Sequence, residues 1–445
     1  MFVRHESCKH QTLQLEPSPF APLAGYAQPT KQKRAAAATT SGRMPKTITV
    51  ESSQTFPAPL VLPHDDLNYD PDCSPQSVNS WLTEKARNKM LPEYGRDVLY
   101  VGRVPTIGQE VRFMRDWTVP AVELDNQQGG TSPDADVFVD YLKAFYHGMK
   151  VEMLGSSLRW TTWDKASQPR RQANLPKYVG LAYSDKCTRV RVRRAPDGAF
   201  AAQLNLNDII DAAIAMLPTN AYALTLLVDH DIYEDEEDDF CCGRAYGGSR
   251  VAVVQTARYN PLLDVREKID HTHMWPLSHC KTFVDELCAV EDVEAPPPTK
   301  QQIASSNTGP MRAAVNAAIV HATALDEGKT ASALWFSRLA RTVSHEIGHC
   351  FGIGHCVYHA CNMQGTAGMK EDVRQPPYSC PICEAKVGHA IMAELQGGGI
   401  EGKQTWVKER CVALESFCAS LSASDMDTTM WRGLQAWLKA RLQDL

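Results

Sequence analysis

No stretch of this 445-residue chain approaches the 18 or more consecutive apolar residues of a membrane-spanning helix, so no membrane span is expected. The opening residues MFVRHESCKHQ lack the apolar core of a secretory leader, and a protein that is not secreted is expected. Basic charge is not in excess: 46 Lys and Arg stand against 52 Asp and Glu, a formal net charge of -6. That balance argues against a nucleic-acid partner. Internal repeats are lacking. The acidic run EDEEDD (234–239) lacks the glycine and glutamate positions of an EF-hand, so a solvated loop is expected there.

Cysteine is not scarce. The chain has fourteen, and five of them (Cys350, Cys356, Cys361, Cys380 and Cys383) fall within 34 residues. In a reducing compartment, clustered cysteines read as metal ligands rather than disulfides. A cytoplasmic protein is expected, with the basic cluster KQKR (31–34) leaving a nuclear address as the alternative. Hydrophobic content of 43% and charge of 22% suit a globular chain able to bury a core.

Composition divides the chain into a disordered tail (1–55), an N-terminal extension (56–134), a catalytic-size domain (135–396, with an insertion at about 291–310) and a C-terminal helical segment (397–445). Helices are predicted near 75–90, 135–153, 311–327, 331–351, 404–421 and 427–443. Strands are predicted at 98–102, 223–229 and 249–258, with a hairpin around the turn 196–198 and Asn207 capping the next helix. This order suits an α/β fold with a twisted, mostly parallel sheet.

The chemistry concentrates in HEIGHCFGIGH (345–355), which fits H-E-x-x-H-x-x-G-x-x-H at every fixed position. On a helix, His345 and His349 lie roughly 40° apart on one face, and both imidazoles can reach one zinc ion at about 2.0–2.1 Å. Gly352 can end the helix and reverse the chain, bringing in His355 as third ligand. Three protein ligands leave an open position, the mark of a catalytic site. Glu346, next to the ligands, can serve as general base.

Directly afterwards come Cys356, Cys361 and Met363, then the C-x-x-C pair Cys380 and Cys383. Four thiolates in two close pairs suit a closed, structural zinc site; a redox pair or buried free thiols are the alternatives. Other candidates are set aside. His359 reads as a surface-loop residue and Cys350 as a core thiol. His271, His273, His279 and Cys280 have no standard ligand spacing and read as a structural loop. Cys411 and Cys418 read as core, and Cys241 and Cys242 receive no role. Cys8 or Cys73 could cap the catalytic zinc in a latent state.

HEIGHCFGIGHCVYHACNM followed by CPIC resembles the archaemetzincins, a branch of the metzincin peptidases. The 16 residues between Met363 and Cys380 are one fewer than the family form. The resemblance implies a metzincin-like α/β domain with a twisted mixed, mostly parallel sheet, a backing helix and an active-site helix. It implies two zinc ions, one catalytic on His345, His349 and His355 with Glu346 as base, the other structural on Cys356, Cys361, Cys380 and Cys383. It also implies Met363 as the Met-turn residue beneath the catalytic site. The implied activity is hydrolysis of peptides or proteins, with an aminopeptidase among the open modes; the alternative is a weak or inactive zinc-bearing binding module. Some metzincins carry a tyrosine two residues after the turn methionine, where this chain has Gly365.

Overall fold

The strand predicted at 223–229 is the middle of the central sheet. The computed structural model describes residues 8–44, 52–67, 73–122, 130–163, 175–322, 330–398 and 402–445. Eleven strands occur among them: β1 (Val98–Gly102), β2 (Thr106–Ile107), β3 (Lys150–Met153), β4 (Leu158–Thr161), β5 (Tyr178–Tyr183), β6 (Lys186–Arg193), β7 (Gln203–Asn205), β8 (Ala221–Val228), β9 (Asp231–Tyr233), β10 (Gly243–Tyr246) and β11 (Val251–Gln255). The central sheet has the order β10-β11-β8-β1-β3. Only β10 runs antiparallel to its neighbour, so the sheet is mixed and mostly parallel, as expected.

All eight residues of β8 are buried, because helices cover both faces of the sheet. Leu224, Leu226 and Val228 enter one core with the helix Leu206–Met216, while Ala223 and Leu227 enter the other with the motif helix Thr330–Cys350. Burying each such Val or Leu is worth roughly 1.5–3 kcal/mol. The backing helix Ala135–Phe145 packs into the same core as the motif helix, where Phe138 meets Phe336 at a ring distance of 5.1 Å.

A second sheet, β2-β4-β5-β6-β7-β9, went unrecognised in the sequence apart from its hairpin. The β6–β7 pair spans only two residue pairs, and the main partner of β6 is β5.

Several expectations need correction. The helix predicted over 135–153 stops at Phe145, because Lys150–Met153 pairs with β1 as strand β3. Asn205 rather than Asn207 caps the next helix, its side chain accepting from the Asp208 N–H. The helix near 75–90 is only Val78–Thr83. The N-terminal extension is not separate from the catalytic domain, since its strand β1 lies between β8 and β3. Residues 8–44 are not a free tail. Leu13 and Leu15 are buried, Gln14 N–H donates to the His279 carbonyl (2.8 Å), and Tyr26 Oη donates to the Val357 carbonyl (2.9 Å). A composition poor in apolar residues concealed a segment held largely by backbone hydrogen bonds to distant partners. The remainder of the proposed tail, 1–7 and 45–51, lies outside the described residues.

The insertion at about 291–310 contains a capped helix, Lys300–Ser305, closed by a Thr299–Gln302 capping box. The C-terminal helices Lys403–Ser422 and Thr429–Asp444 are part of the main core rather than an appended segment. Arg410 and Arg441 from these helices both bond the buried Glu384 carboxylate (3.0, 3.0 and 2.7 Å), on the helix Pro381–Gly388 that carries Cys383.

Candidate metal centre

Buried ion pairs fix the motif helix before its histidines begin. Arg338 makes two bonds to Asp264 (2.7 Å each), and Arg341 bonds Asp372 (2.5 Å). Trp335 Nε1 donates to the Thr256 carbonyl at the end of β11 (2.8 Å). Helix and sheet are thereby locked, and the last turns of the helix face an open cleft of about 860 Å³.

His345, His349 and His355 converge there, with one ring nitrogen from each lying within 4.8 Å of the others. The Nε2 atoms of His345 and His349 are 2.9 Å apart. A tetrahedral zinc with bonds of about 2.0–2.1 Å needs nitrogens roughly 3.3 Å apart, so the spacing fits. His345 Nδ1 donates to the Asn362 carbonyl and His349 Nδ1 to the Ile353 carbonyl, each at 2.7 Å. A carbonyl only accepts, so both bonds place the proton on Nδ1 and leave the Nε2 lone pair for a metal. Burial, then the neighbouring His355, pushes His349 down to about 4, and burial holds His345 well below its usual range. Both are therefore neutral, the form that binds metal, at pH 7.

Gly352 has a left-handed φ of 74°. The turn it makes returns the chain so that His355 joins the other two rings, at centroid distances of 5.4 and 5.0 Å. A Cβ at Gly352 would lie 2.8 Å from Arg87 Cγ, so conformation and space both require glycine. Gln76 clamps this turn. Its Nε2 donates to the Gly352 carbonyl (3.0 Å), and its Oε1 accepts from Gly354 N–H (3.1 Å) and from Lys386 Nζ (2.6 Å).

Met363 is buried. A Cβ at Gly348 would fall 2.4 Å from the Met363 sulfur, so the helix residue between the two histidines is small because the methionine packs against it. At Gly365 a Cβ would lie 3.0 Å from both His355 Nδ1 and the Leu67 carbonyl oxygen. A side chain at this position would require the His355 ring or the Leu67 backbone to shift by a few tenths of an ångström.

Glu346 is only 7% exposed and lines the cleft. Burial pushes its carboxyl up to about 8, opposed by the Arg244 guanidinium. A dication on the histidines acts in the same direction as Arg244. Arg244 belongs to β10, the sheet edge that borders the cleft. It pairs with Glu234 of the acidic loop (3.4 Å), and Tyr246 Oη donates to the same carboxylate (3.0 Å). The loop itself is ordered by Arg193, which donates to the carbonyls of Asp235, Glu236 and Asp238.

The four cysteines Cys356, Cys361, Cys380 and Cys383 form a second, wholly buried cluster with all sulfurs within 4.8 Å. Cys356 and Cys380 Sγ are 3.5 Å apart, against roughly 3.8 Å for a tetrahedral zinc with bonds of about 2.3 Å. The N–H groups of Met363 (3.5 Å) and Cys380 (3.2 Å) donate to Cys361 Sγ, which favours its thiolate form. Bonds from Cys361, Cys380 and Cys383 hold Cys356 well below the usual thiol range, while burial pushes Cys361 and Cys380 up. The donor set fits zinc, and no disulfide joins any of the fourteen cysteines.

Residues set aside in the sequence fall as follows. His359 is buried beside the cysteine cluster, donating from Nδ1 to the Phe56 carbonyl (3.0 Å) rather than lying on a surface loop. Cys350, Cys411 and Cys418 are buried, as expected. Cys241 and Cys242 line the cleft. Cys73 Sγ lies 3.8 Å from His355 Nδ1, whereas Cys8 sits against Cys280 (3.2 Å). Sequence reasoning missed Gln76, Asn362, Gly348 and Arg244. Of these, Asn362 and Gly348 lie inside the quoted motifs; the other two become visible only through long-range contacts.

Residues 308–389 match the family model described as Peptidase family M54. The curated human Archaemetzincin-2 is 46% identical over 54 residues, covering 12% of this chain and 15% of the relative. Human Archaemetzincin-1 is 37% identical over 60 residues, covering 14% and 12%. The chain thus aligns with about 15% of the length of the first curated relatives it matches. Among solved structures, the archaemetzincin from Methanopyrus kandleri is 13% identical with a TM-score of 0.31, covering 67% of this chain and 96% of that one. The segment that carries both clusters is thus similar to the archaemetzincins and to Peptidase family M54.

Proposed function

We propose that this protein is a zinc-dependent peptidase, with His345, His349 and His355 as the zinc ligands and Glu346 as the general base. The observation that carries the reading is the convergence of the three imidazoles, two with Nε2 freed by carbonyl bonds at Nδ1, on the floor of a cleft that also contains Glu346. Bound there, zinc would supply a Lewis acid that polarises a carbonyl and brings the pKa of a water to about 7. Glu346 takes a proton from the attacking water and passes it to the leaving amine. Among the described residues no strand pairs with the outer side of the edge strand β10, where an extended peptide would bind by adding a strand. With no tyrosine at position 365, Arg244 is our candidate for offsetting the negative charge that develops on the substrate.

A second zinc on Cys356, Cys361, Cys380 and Cys383 is structural in this reading. It ties the chain leaving His355 to the helix Pro381–Gly388. The test is metal dependence. Chelation should abolish cleavage of a mixed peptide pool, and stoichiometric zinc should restore it. Cleavage that persists in fully chelated protein would refute the proposal.

A further inference from the structure

We propose that Cys8, His10 and His273, with Cys280 as the fourth ligand, bind a further zinc ion that fastens the N-terminal segment to the 270–281 region. One ligand atom from each of Cys8, His10 and His273 lies within 4.8 Å of the other two. Cys280 Sγ is 3.2 Å from Cys8 Sγ. A mixed tetrahedral site with bonds of about 2.0–2.3 Å has edges of roughly 3.3–3.8 Å; Cys8, His10 and His273 already converge, and Cys280, in contact with Cys8, would swing toward the two imidazoles to complete it. Two sulfurs and two imidazoles are a donor set that selects zinc over the oxygen-seeking cations.

The surroundings are those of a built site. His10 is 5% exposed, and its Nδ1 has no hydrogen-bond partner. Leaving such a group buried and unpaired costs about 1–3 kcal/mol, which a metal bond would offset. His273 Nδ1 donates to Asp270 Oδ2 (2.7 Å), the carboxylate–imidazole pairing that orients metal-binding histidines through their other nitrogen. The His273 ring also stacks on Phe283 with centroids 4.0 Å apart and planes within 8°, which fixes its direction.

The backbone brings the two halves of the site together. Lys281 N–H donates to the Thr12 carbonyl (2.9 Å), Gln14 N–H donates to the His279 carbonyl (2.8 Å), and Leu13 forms an antiparallel bridge with Cys280. In the sequence, His273 and Cys280 had no standard ligand spacing. Their partners are the C-x-H pair Cys8 and His10, at the other end of the chain. The two sulfurs are thiols in contact, well beyond the 2.03–2.05 Å of a disulfide.

The test counts zinc in the full chain purified with reductant. Cys8→Ser and His10→Ala should each carry one zinc fewer than the wild type, whatever the wild-type total, with peptidase turnover unchanged. Cys187→Ser, at an exposed thiol, should keep the wild-type number. Equal zinc content in the folded variants would overturn the proposal, as would a Cys8–Cys280 disulfide found in protein kept reduced. Should the ligand variants not fold, Asp270→Asn provides a second arm. It should weaken the affinity for one zinc by roughly 10–100-fold, and amide exchange at Gln14 and Lys281 should quicken. An Asp270→Asn protein with every zinc affinity unchanged would likewise refute the site.

Discussion

Replacing Gly352 by alanine tests how the third histidine is delivered. At a φ of 74°, a side chain costs roughly 1–2 kcal/mol in backbone strain. The new Cβ would also sit 2.8 Å from Arg87 Cγ. Arg87 cannot easily retreat. Its guanidinium is paired with Glu394 and lies 3.9 Å over the Trp81 ring, with its side chain 1% exposed. Overpacking of this kind costs roughly 1–3 kcal/mol, giving a sum of about 2–5 kcal/mol. Gly198 provides the control: its φ of 68° is similar, but nothing lies within 4 Å of its would-be Cβ. Gly198→Ala should therefore show the conformational part alone. Gly352→Ala should lower the unfolding midpoint further and weaken zinc binding, because relief of the strain moves the turn that presents His355. Each 1.4 kcal/mol felt by the metal is about tenfold in Kd, so competition against a chelator should register at least a tenfold loss. If Gly352→Ala costs no more than Gly198→Ala and leaves zinc affinity intact, the account of the turn is wrong.

Gln76→Ala removes the clamp on the same turn and should weaken zinc binding at the histidine site by roughly tenfold, read by the same competition; unchanged affinity would show that the turn holds itself. Cys361→Ser replaces a sulfur that accepts two backbone N–H bonds. It should reduce zinc content by at least one ion and lower Tm, by elemental analysis and calorimetry, and a variant with wild-type zinc and Tm would contradict the four-cysteine site. Asp264 anchors the motif helix through Arg338. Burial opposes its ionisation, but His271 and Arg338 prevail and hold its carboxyl below the usual range. A depressed carboxyl stabilises the fold above its unfolded pKa of about 3.9 and loses that contribution as pH falls through the folded value. Asp264→Asn should thus cost roughly 3–5 kcal/mol near neutrality by leaving Arg338 unpaired. The gap to wild type in denaturant melts should narrow below about pH 4.

How legible was all this in the sequence? The two candidate ligand clusters were, because H-E-x-x-H and C-x-x-C encode geometry locally: helical spacing and a two-residue knuckle are short-range facts. So was β8, whose continuous apolar run could only be a strand covered on both faces. What escaped depends on partners far along the chain. Gln76 reaches Gly352 and Gly354 across more than 270 positions. The Leu13 bridge to Cys280 makes a polar tail into structure. The helix predicted to 153 ends early because β1 recruits Lys150–Met153 into the sheet, a tertiary pairing that helical periodicity cannot foresee. The absent tyrosine at 365 was visible as a departure, whereas the tight packing of Gly365 against the His355 ring, 3.0 Å from a would-be Cβ, is seen only in the fold.

The central claim is that Glu346 activates water at a histidine-bound zinc. The most direct measurement is cleavage of an unbiased peptide library by the zinc-loaded protein beside zinc-loaded Glu346→Ala. The account predicts cuts by the wild type, a loss of roughly 100–10,000-fold in the variant, and equal zinc content in both. Equal cleavage by the two proteins, or none by a wild type with its zinc in place, would contradict it.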